Sequence, residues 1–330
     1  MKNKEIAKRL GISAASVSLA LNNRPGVSDK TRSQVLRLKN SDIESQLHVK
    51  KPVIQFIIHK ASGAIIDNKP FFANLVSTLQ QESLRYDYQL NVFYFTPDMP
   101  TDVFIRAISS PDAAGTILLA TELSREDLDM YRTLPQPLIL IDGLSANDRY
   151  DTVTISNRTS VLHALSFAYG MGHRKIGYLK SRFPISNFEE RFDGYLDGLN
   201  FYGLDVDSCP VIELDCSIEG AYRSMSRYLD TASKLPTIFL CDLDYIALGA
   251  ARALKEHGYR VPEDVSVIGF DDIAECEAFD PPLTTLRVDN DDIGKFGVRL
   301  LHDRITNPAM ARTDTQISTQ LIERGSTRAN

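Results

Sequence analysis

From Val53 onward, short apolar runs alternate with amphipathic stretches, and this alternation limits the chain to few folds. The runs VIQFII and GTILLAT are each followed by a segment in which apolar residues recur at helical spacing. Such alternation predicts βαβ units whose strands form a parallel sheet. A second series of the same kind begins after Asn157, so we expect an α/β body of two lobes with a cleft between them.

Basic residues are concentrated in the first forty positions. This segment holds nine Lys/Arg and two acidic residues, which leaves 28 Lys/Arg and 41 Asp/Glu in the other 290 residues. An acidic body repels phosphate groups whereas a basic head attracts them, so the head alone is predicted to bind a polyanion. The alternative is a solvated charged face without a binding role.

The spacing within this basic segment predicts two short helices that meet at a tight turn. Ala7 is small where the helices would cross, Gly11 tolerates a positive φ in the turn, and Ser13 is placed to cap the second helix. These are the requirements of a helix-turn-helix. Ser28 is placed to cap a third helix, DKTRSQVLRLK. The residues predicted to form the shared core are Ile6, Ala7, Leu10, Val17, Ala20, Leu21, Val35, Leu36 and Leu38.

The stretch KEIAKRLGISAASVSLALNNRPGVSDKTR resembles the N-terminal headpiece of the LacI/GalR family of bacterial transcription regulators. The segments GHRKIGYL and DPPLTTLRVD resemble the effector-binding body of the same family, which is similar in fold to periplasmic sugar-binding proteins. The resemblance implies a three-helix headpiece at residues 1–39, a hinge or linker at 40–52, and an effector-binding and dimerisation body at 53–330. Within the body, it implies one lobe at about 53–156 and 284–313, and a second at about 157–283 and 314–330.

The same resemblance implies which headpiece residues contact DNA. Ala14 and Ala15 match the family's principal base-reading positions. With alanines there, contacts with thymine methyl groups or DNA shape must supply more of the specificity than side-chain hydrogen bonds. Leu19 departs from the family, since many members carry Arg at this position. The residues that match positions contacting mainly the phosphate backbone are Ser16, Ser18, Asn22, Ser28 and Thr31.

The segment between headpiece and body lacks the family's usual hinge-helix pattern, Y-x-P-N-x-x-A. It also places Asp42 and Glu44 close to where phosphates would lie. Leu47 is the candidate for an apolar side chain that inserts into the minor groove, and Ile43 competes with it. A plain linker that ends at Pro52 is the alternative.

Three body residues match effector-binding positions of the family. Arg191 follows the loop FPISNFEE and offers a planar donor fork that can take two oxygens of a polar ligand. Asp271 follows the strand VSVIGF and matches an acid for ligand hydroxyls, whereas the adjacent Asp272 would point to the other side. Phe72 matches an aromatic residue that stacks on the ligand, and a plain core role is the alternative.

Further candidates follow other strands. Asp242 comes directly after the run TIFLC and Asp244 two residues later, and Asp244 matches the acid of the family's Asn-Asp pair. Leu243 replaces the Asn of that pair, so we expect an effector that differs from a simple hexose. His59 ends the first body strand and is expected to be a structural histidine.

Motifs for other function classes do not occur in the sequence. GxSxG, GxxxxGK[ST], HExxH and GxGxxG are missing, and the four cysteines form no CxxC pair, so neither an enzyme nor a metal or cofactor site is expected. The charged N-terminus and the lack of eighteen consecutive apolar residues predict a cytoplasmic protein without a membrane partner. We expect a repressor of carbohydrate-metabolism genes that binds double-stranded operator DNA as a homodimer and responds to a sugar or sugar derivative. A solute-binding protein without DNA function is the alternative.

Overall fold

The structure, a computed structural model, describes residues 2–47, 51–67, 70–143, 149–232 and 234–330. The chain divides into two compact units, Met1–Pro52 and Val53–Asn330. The first unit contains helices α1 (Asn3–Leu10), α2 (Ala14–Leu21) and α3 (Asp29–Leu47). None of the described helices is both long and apolar enough to cross a bilayer.

The three helices of the first unit close around a small apolar core. Gly11 ends α1 with a φ of 65°, and the backbone N–H of Ser16 donates to Ser13 Oγ at 3.0 Å, so the predicted turn and cap are both present. Ser28 caps α3 in the same way, accepting from the Thr31 N–H at 3.2 Å. The buried core residues are Ile6, Ala7, Val17, Ala20 and Val35.

Two expectations for this unit were wrong. Leu36 does not close the core, because its position on α3 leaves it 41% exposed. The third helix does not end at residue 39 but continues to Leu47, through much of the segment assigned to a hinge or linker. The sequence NSDIESQL contains neither Gly nor Pro, so nothing in it terminates a helix.

The second unit contains twelve described strands in two sheets. The first sheet has the order β11-β5-β4-β3-β1-β2 and the second β12-β10-β9-β8-β6-β7. The strands are β1 (Val53–His59), β2 (Gln89–Phe95), β3 (Ala113–Leu119), β4 (Leu138–Ile141), β5 (Asp151–Ile155), β6 (Ile176–Ser181), β7 (Val211–Leu214), β8 (Ile238–Cys241), β9 (Ser266–Asp271), β10 (Thr284–Arg287), β11 (Asp314–Ile317) and β12 (Gln320–Ile322). Neighbouring strands pair in parallel except β10 with β12, which confirms the predicted two-lobed α/β body with parallel sheets.

Helices cover both faces of each sheet, as parallel sheets require. The helices of the body are α4 (Pro70–Arg85), α5 (Thr101–Ile108), α6 (Arg125–Leu128), α7 (Asn157–Gly170), α8 (Ser186–Phe201), α9 (Ile218–Leu229), α10 (Asp244–Glu256), α11 (Glu275–Ala278) and α12 (Asn290–Thr306). Helices α4 and α12 pack against each other on the first sheet. In the second lobe, α7 packs on α8 and α9 packs on α10.

The boundaries expected for the two lobes are wrong at the C-terminal end. β10 pairs with β9 in the second sheet, although residues from 284 onward were assigned to the first lobe. β11 pairs with β5 in the first sheet, although residues from 314 onward were assigned to the second. The short polar strands TTLR and DTQI carry no pattern that distinguishes one sheet from the other, and only their hydrogen-bonded neighbours do so. The chain therefore passes between the lobes after β5, after β10 and after β11.

Candidate functional site

The N-terminal half of α2 presents small, uncharged side chains to solvent. Ala14 and Ala15 are exposed, and the Ser16 hydroxyl lies 2.9 Å from that of Ser13. The helix AASVSLAL contains no charged residue. A surface of this kind can approach the floor of a DNA groove closely, because no long side chain has to be moved aside.

The other headpiece candidates lie around α2 and the start of α3. The Asn22 amide donates to the carbonyl oxygen of Ser18 at 2.9 Å, and the hydroxyls of Ser28 and Thr31 are 2.9 Å apart. Leu19 is half-buried, and a Cβ added to Gly26 would lie 3.2 Å from its Cδ1, so Leu19 packs beneath the turn after α2. Leu47 ends α3, and its side chain lies outside the described residues.

Arg32 was not predicted from the sequence to have a specific role. Its guanidinium donates to the carbonyl oxygens of Ala20 at 3.2 Å and Arg24 at 2.7 Å. These contacts stabilise the C-terminal end of α2 and the following turn. Arg32 therefore has a structural role in the headpiece, unlike a basic residue that only contributes charge.

A small cavity of about 40 Å³ lies between the two lobes of the body. Both lobes supply polar and apolar groups to its wall. The lining residues are Ile65, Phe72, Thr121, Asp142 and Ile155 from the first lobe, and Ile185, Asn187, Phe188, Arg191, Leu243 and Asp271 from the second. Phe72, Arg191 and Asp271, which the sequence indicated, are thus brought together, and Phe72 also belongs to the buried core.

Arg191 lies in the second turn of α8, which begins at Ser186 and so includes most of the segment FPISNFEE that was expected to be a loop. Its side chain is 3% exposed and makes three kinds of contact. Nε donates to Asn157 Oδ1 at 2.8 Å, and Nη1 donates to the backbone carbonyl of Asp242. The guanidinium also lies 3.4 Å from the centre of the Phe270 ring. Two nitrogens are therefore engaged within the protein, and Nη2 lies 3.8 Å from Asp271 Oδ1.

Asp142, which sequence reasoning missed, links the two lobes. It follows β4 with a φ of 54° and accepts hydrogen bonds from Thr121 at 2.6 Å in its own lobe and from Asn187 at 2.9 Å in the other. Burial raises the pKa of this carboxyl to about 6, against the opposing effects of the hydrogen bond from Thr121 and the charge of Arg191. Its place directly after the run PLILI was the signal that could have identified it.

Asp242 and Asp244 are not among the residues that line the cavity, although Leu243 between them is. Asp242 accepts hydrogen bonds from the Tyr178 hydroxyl at 2.5 Å and the Ser181 N–H at 2.6 Å. Asp244 accepts from the Thr285 hydroxyl at 2.6 Å and the Ile273 N–H at 3.0 Å. Both carboxylates therefore join strand ends inside the second lobe. Burial raises their pKa values, to about 6 for Asp242 and about 7 for Asp244.

The paired acids Asp271 and Asp272, at the end of β9, point in different directions, as predicted. Asp271 lines the cavity, whereas Asp272 forms ion pairs with Arg287 at 2.6 Å and Arg324 at 2.7 Å. Both have positive φ values, 115° and 61°, in a backbone region that residues other than glycine rarely adopt. Strained backbone of this kind occurs at ligand sites when the surrounding structure enforces it.

His59 is a structural residue. Its ring is 1% exposed, and Nδ1 lies 2.8 Å from the Tyr131 hydroxyl. Burial lowers its pKa, so the neutral form is favoured.

Known proteins are similar to this chain in sequence and in fold. Residues 166–327 match the periplasmic binding protein-like domain. The chain is 28% identical to the HTH-type transcriptional repressor CytR of Escherichia coli strain K12, over 99% of this chain and 96% of the relative. Its fold resembles that of the regulator CelR in a cellobiose complex (TM-score 0.74, 23% identity, 99% of both chains). It also resembles the lac repressor dimer bound to operator and the anti-inducer ONPF (TM-score 0.76, 21% identity, 98% of both chains). The chain is thus similar over nearly its whole length to a transcriptional repressor, and these comparisons support the resemblance to the LacI/GalR family that the sequence carries.

Proposed function

We propose that this protein is a ligand-responsive repressor that binds operator DNA as a homodimer and takes an uncharged polar effector between its lobes. The observation that carries the proposal is that one chain holds both a candidate DNA-binding surface and a candidate effector cavity. A basic three-helix unit exposes the uncharged α2, and the body holds a cavity with polar groups from both lobes. CytR, a relative along the whole chain, is named as a repressor.

The DNA contacts are assigned to α2 and its flanks. Ala14 and Ala15 lie on the exposed N-terminal half of α2 and would face the bases, where a methyl group contacts thymine. Ser16, Ser18, Asn22, Ser28 and Thr31 would contact the phosphate backbone. Leu19 packs within the headpiece and contributes to its shape rather than to hydrogen bonding.

The homodimer follows from the size of the DNA site. One helix in the major groove reads only a few base pairs, so a specific operator requires two half-sites and a twofold axis in the protein. The lac repressor, which this chain resembles in fold, is a dimer on its operator.

The charge of the cavity favours an uncharged effector with hydroxyl or amino donors. Asp142 and Asp271 supply two carboxylates, whereas Arg191 is one cation that already binds Asn157 and the Asp242 carbonyl. An added anion would meet an acidic wall in a buried site, where charge repulsion is strong. Phe72, Phe188 and other apolar residues suit the flat face of a sugar ring, and CelR, similar in fold, binds cellobiose. Carbohydrate-metabolism genes are the targets that fit such an effector.

Matched ligand pairs test the effector class. Thermal shift of the full chain should respond to neutral members of pairs such as glucose and glucuronate, or ribose and ribose 5-phosphate, and not to their anionic partners. Tighter binding of the anionic partners would contradict the assignment.

An operator half-site selected from a randomised library then allows fluorescence anisotropy with and without ligand. Operator and ligand must change each other's affinity by the same factor. A ligand affinity unchanged by operator would instead favour the solute-binding alternative.

A further inference from the structure

One carboxylate organises the loop that follows β1. Glu122, just after β3, is 5% exposed and accepts hydrogen bonds at 2.8–3.1 Å from five backbone N–H groups of residues 61–67. We call this segment the strap. The five donors belong to Ala61, Ser62, Gly63, Ile65 and Ile66. Converging N–H groups of this kind form a concave anion site, here filled by a side chain of the same lobe.

The middle of the strap packs against the opposite lobe. Ile65 is 4% exposed and belongs to the same buried cluster as Phe188 and Leu243 of the second lobe. The carbonyl oxygen of Ala64 lies 3.9 Å from Cys216 Sγ, also in the second lobe. Ile65 further lines the inter-lobe cavity. The strap is thus anchored in one lobe and seated on the other, at the wall of the proposed effector site.

The size of the cavity requires part of its wall to move. At about 40 Å³ it is well below the roughly 150 Å³ of an engineered protein cavity that admits a benzene ring, so a sugar-sized effector does not fit in it. Most of the wall comes from helices and strand ends packed into the two lobe cores. The strap is instead a loop that is held by hydrogen bonds to one carboxylate, by Ile66 in the first core cluster, by an ion pair of Asp67 with Lys60, and by Ile65 against the second lobe.

We propose that Glu122 is the positioning residue of a strap that closes the effector cleft through Ile65, so that release of the strap controls access to the site. The inference rests on the proposed function of the cleft. Loss of the carboxylate would leave several N–H groups without their charged acceptor, and each such loss is unfavourable. Glu122 itself does not line the cavity.

Thiol labelling tests the strap without ligand or DNA, so its outcome is independent of the proposed function. Cys216 is half-buried and its Sγ contacts the strap at the Ala64 carbonyl, whereas Cys209, Cys241 and Cys276 are buried. In the full chain, Glu122→Gln should raise the rate at which DTNB labels Cys216 by about tenfold, because a neutral amide accepts weaker hydrogen bonds. The other three thiols should remain slow to react, which separates strap release from general unfolding. Cys216→Ser removes the fast phase, and Glu126→Gln, at an exposed acid of the same lobe, should behave as wild type.

A second variant keeps the test decisive if Glu122→Gln unfolds the body and exposes all four thiols. Ile65→Ala retains the Glu122 hydrogen bonds and removes the contact with the second lobe, so it should also accelerate labelling of Cys216 alone. Wild-type labelling of Cys216 in a folded Ile65→Ala protein would overturn the proposal. Wild-type labelling in a folded Glu122→Gln protein would overturn the role of Glu122.

Discussion

The headpiece and the cleft present their proposed functional groups in opposite ways. On α2, Ala14 and Ala15 are exposed and make no side-chain hydrogen bonds, since alanine has none to make. In the cleft, Arg191 and Asp142 are buried and bound to other protein groups. Substitutions on α2 should therefore change recognition with little effect on folding. Substitutions in the cleft should change recognition and stability together.

Removing the headpiece gives the largest expected effect. A fragment that begins at Lys51 lacks the three helices and the nine basic residues of the first forty positions, so we expect it to lose operator binding entirely while its thermal shift with ligand persists. For the full-length dimer, neutralising roughly six to ten phosphates predicts a 10³–10⁵-fold loss of affinity between 50 and 200 mM salt. Anisotropy titrations measure both quantities. Retained operator binding by the fragment would show that the body contacts DNA.

Arg191→Ala should be the most destabilising single change in the cleft. It removes a buried cation that stacks on Phe270 and lies near Asp271, so we expect a loss of about 3–5 kcal/mol in the free energy of unfolding. Arg158→Ala, at an exposed arginine in the same lobe, should have little effect. Urea denaturation followed by circular dichroism compares the two. Equal stabilities would mean that the contacts of Arg191 serve ligand binding and not the fold.

Asp244 should make the stability of the body depend on pH. Burial, assisted by the charge of Asp271, raises its pKa to about 7 from a reference value of 3.8. Between these values the folded state binds the proton more tightly than the unfolded state, so this contribution to stability is lost as pH rises. Asn mimics the protonated acid.

The wild type should therefore lose stability relative to Asp244→Asn between pH 5 and 7.5, by on the order of 2–3 kcal/mol. Melting temperatures of both proteins across this range measure the difference, with Asp207→Asn as the exposed control. His59, whose pKa burial lowers, affects both proteins alike and cancels in the comparison. A constant difference would indicate that Asp244 is ionised throughout.

The contrast between the headpiece and the cleft also explains which features could be predicted from the sequence. The caps Ser13 and Ser28 and the core residue Val17 depend on partners within a few positions, so local spacing was sufficient. The prediction that Leu36 joins the core was wrong because adjacent residues of a helix point in different directions. Val35 faces the core, which turns Leu36 toward solvent. The lobe assignment of β11 failed because its partner, β5, is distant in the chain. β10 pairs with the preceding strand, β9, but its polar sequence does not indicate this pairing.

The cleft was predicted only in part for the same reason. Strand ends indicated Asp242, Asp244 and Asp271 as candidates, yet one of the three lines the cavity. The other two are oriented by Tyr178 and Thr285, which lie 64 and 41 residues away in the chain. The contact between Asp142 and Asn187 joins two lobes and has no local signature. Polar groups in a tertiary site are selected by partners that sequence spacing does not reveal.

The smallest effects should come from single changes on the headpiece, where they separate base reading from positioning. Ala15→Gln adds a donor and an acceptor at an exposed position of α2, so base preference should change by about 1–3 kcal/mol at one position of each half-site. Ser28→Ala removes the cap of α3 and a proposed phosphate contact, so all sites should weaken nearly alike, by about 1 kcal/mol.

Selection from a randomised half-site library distinguishes a changed preference from a uniform loss. Because neither side chain is buried, both variants should melt within a few degrees of wild type, unlike Arg191→Ala. An unchanged preference in Ala15→Gln would show that Ala15 does not face the bases, and a changed preference in Ser28→Ala would show that its hydroxyl does more than position the headpiece.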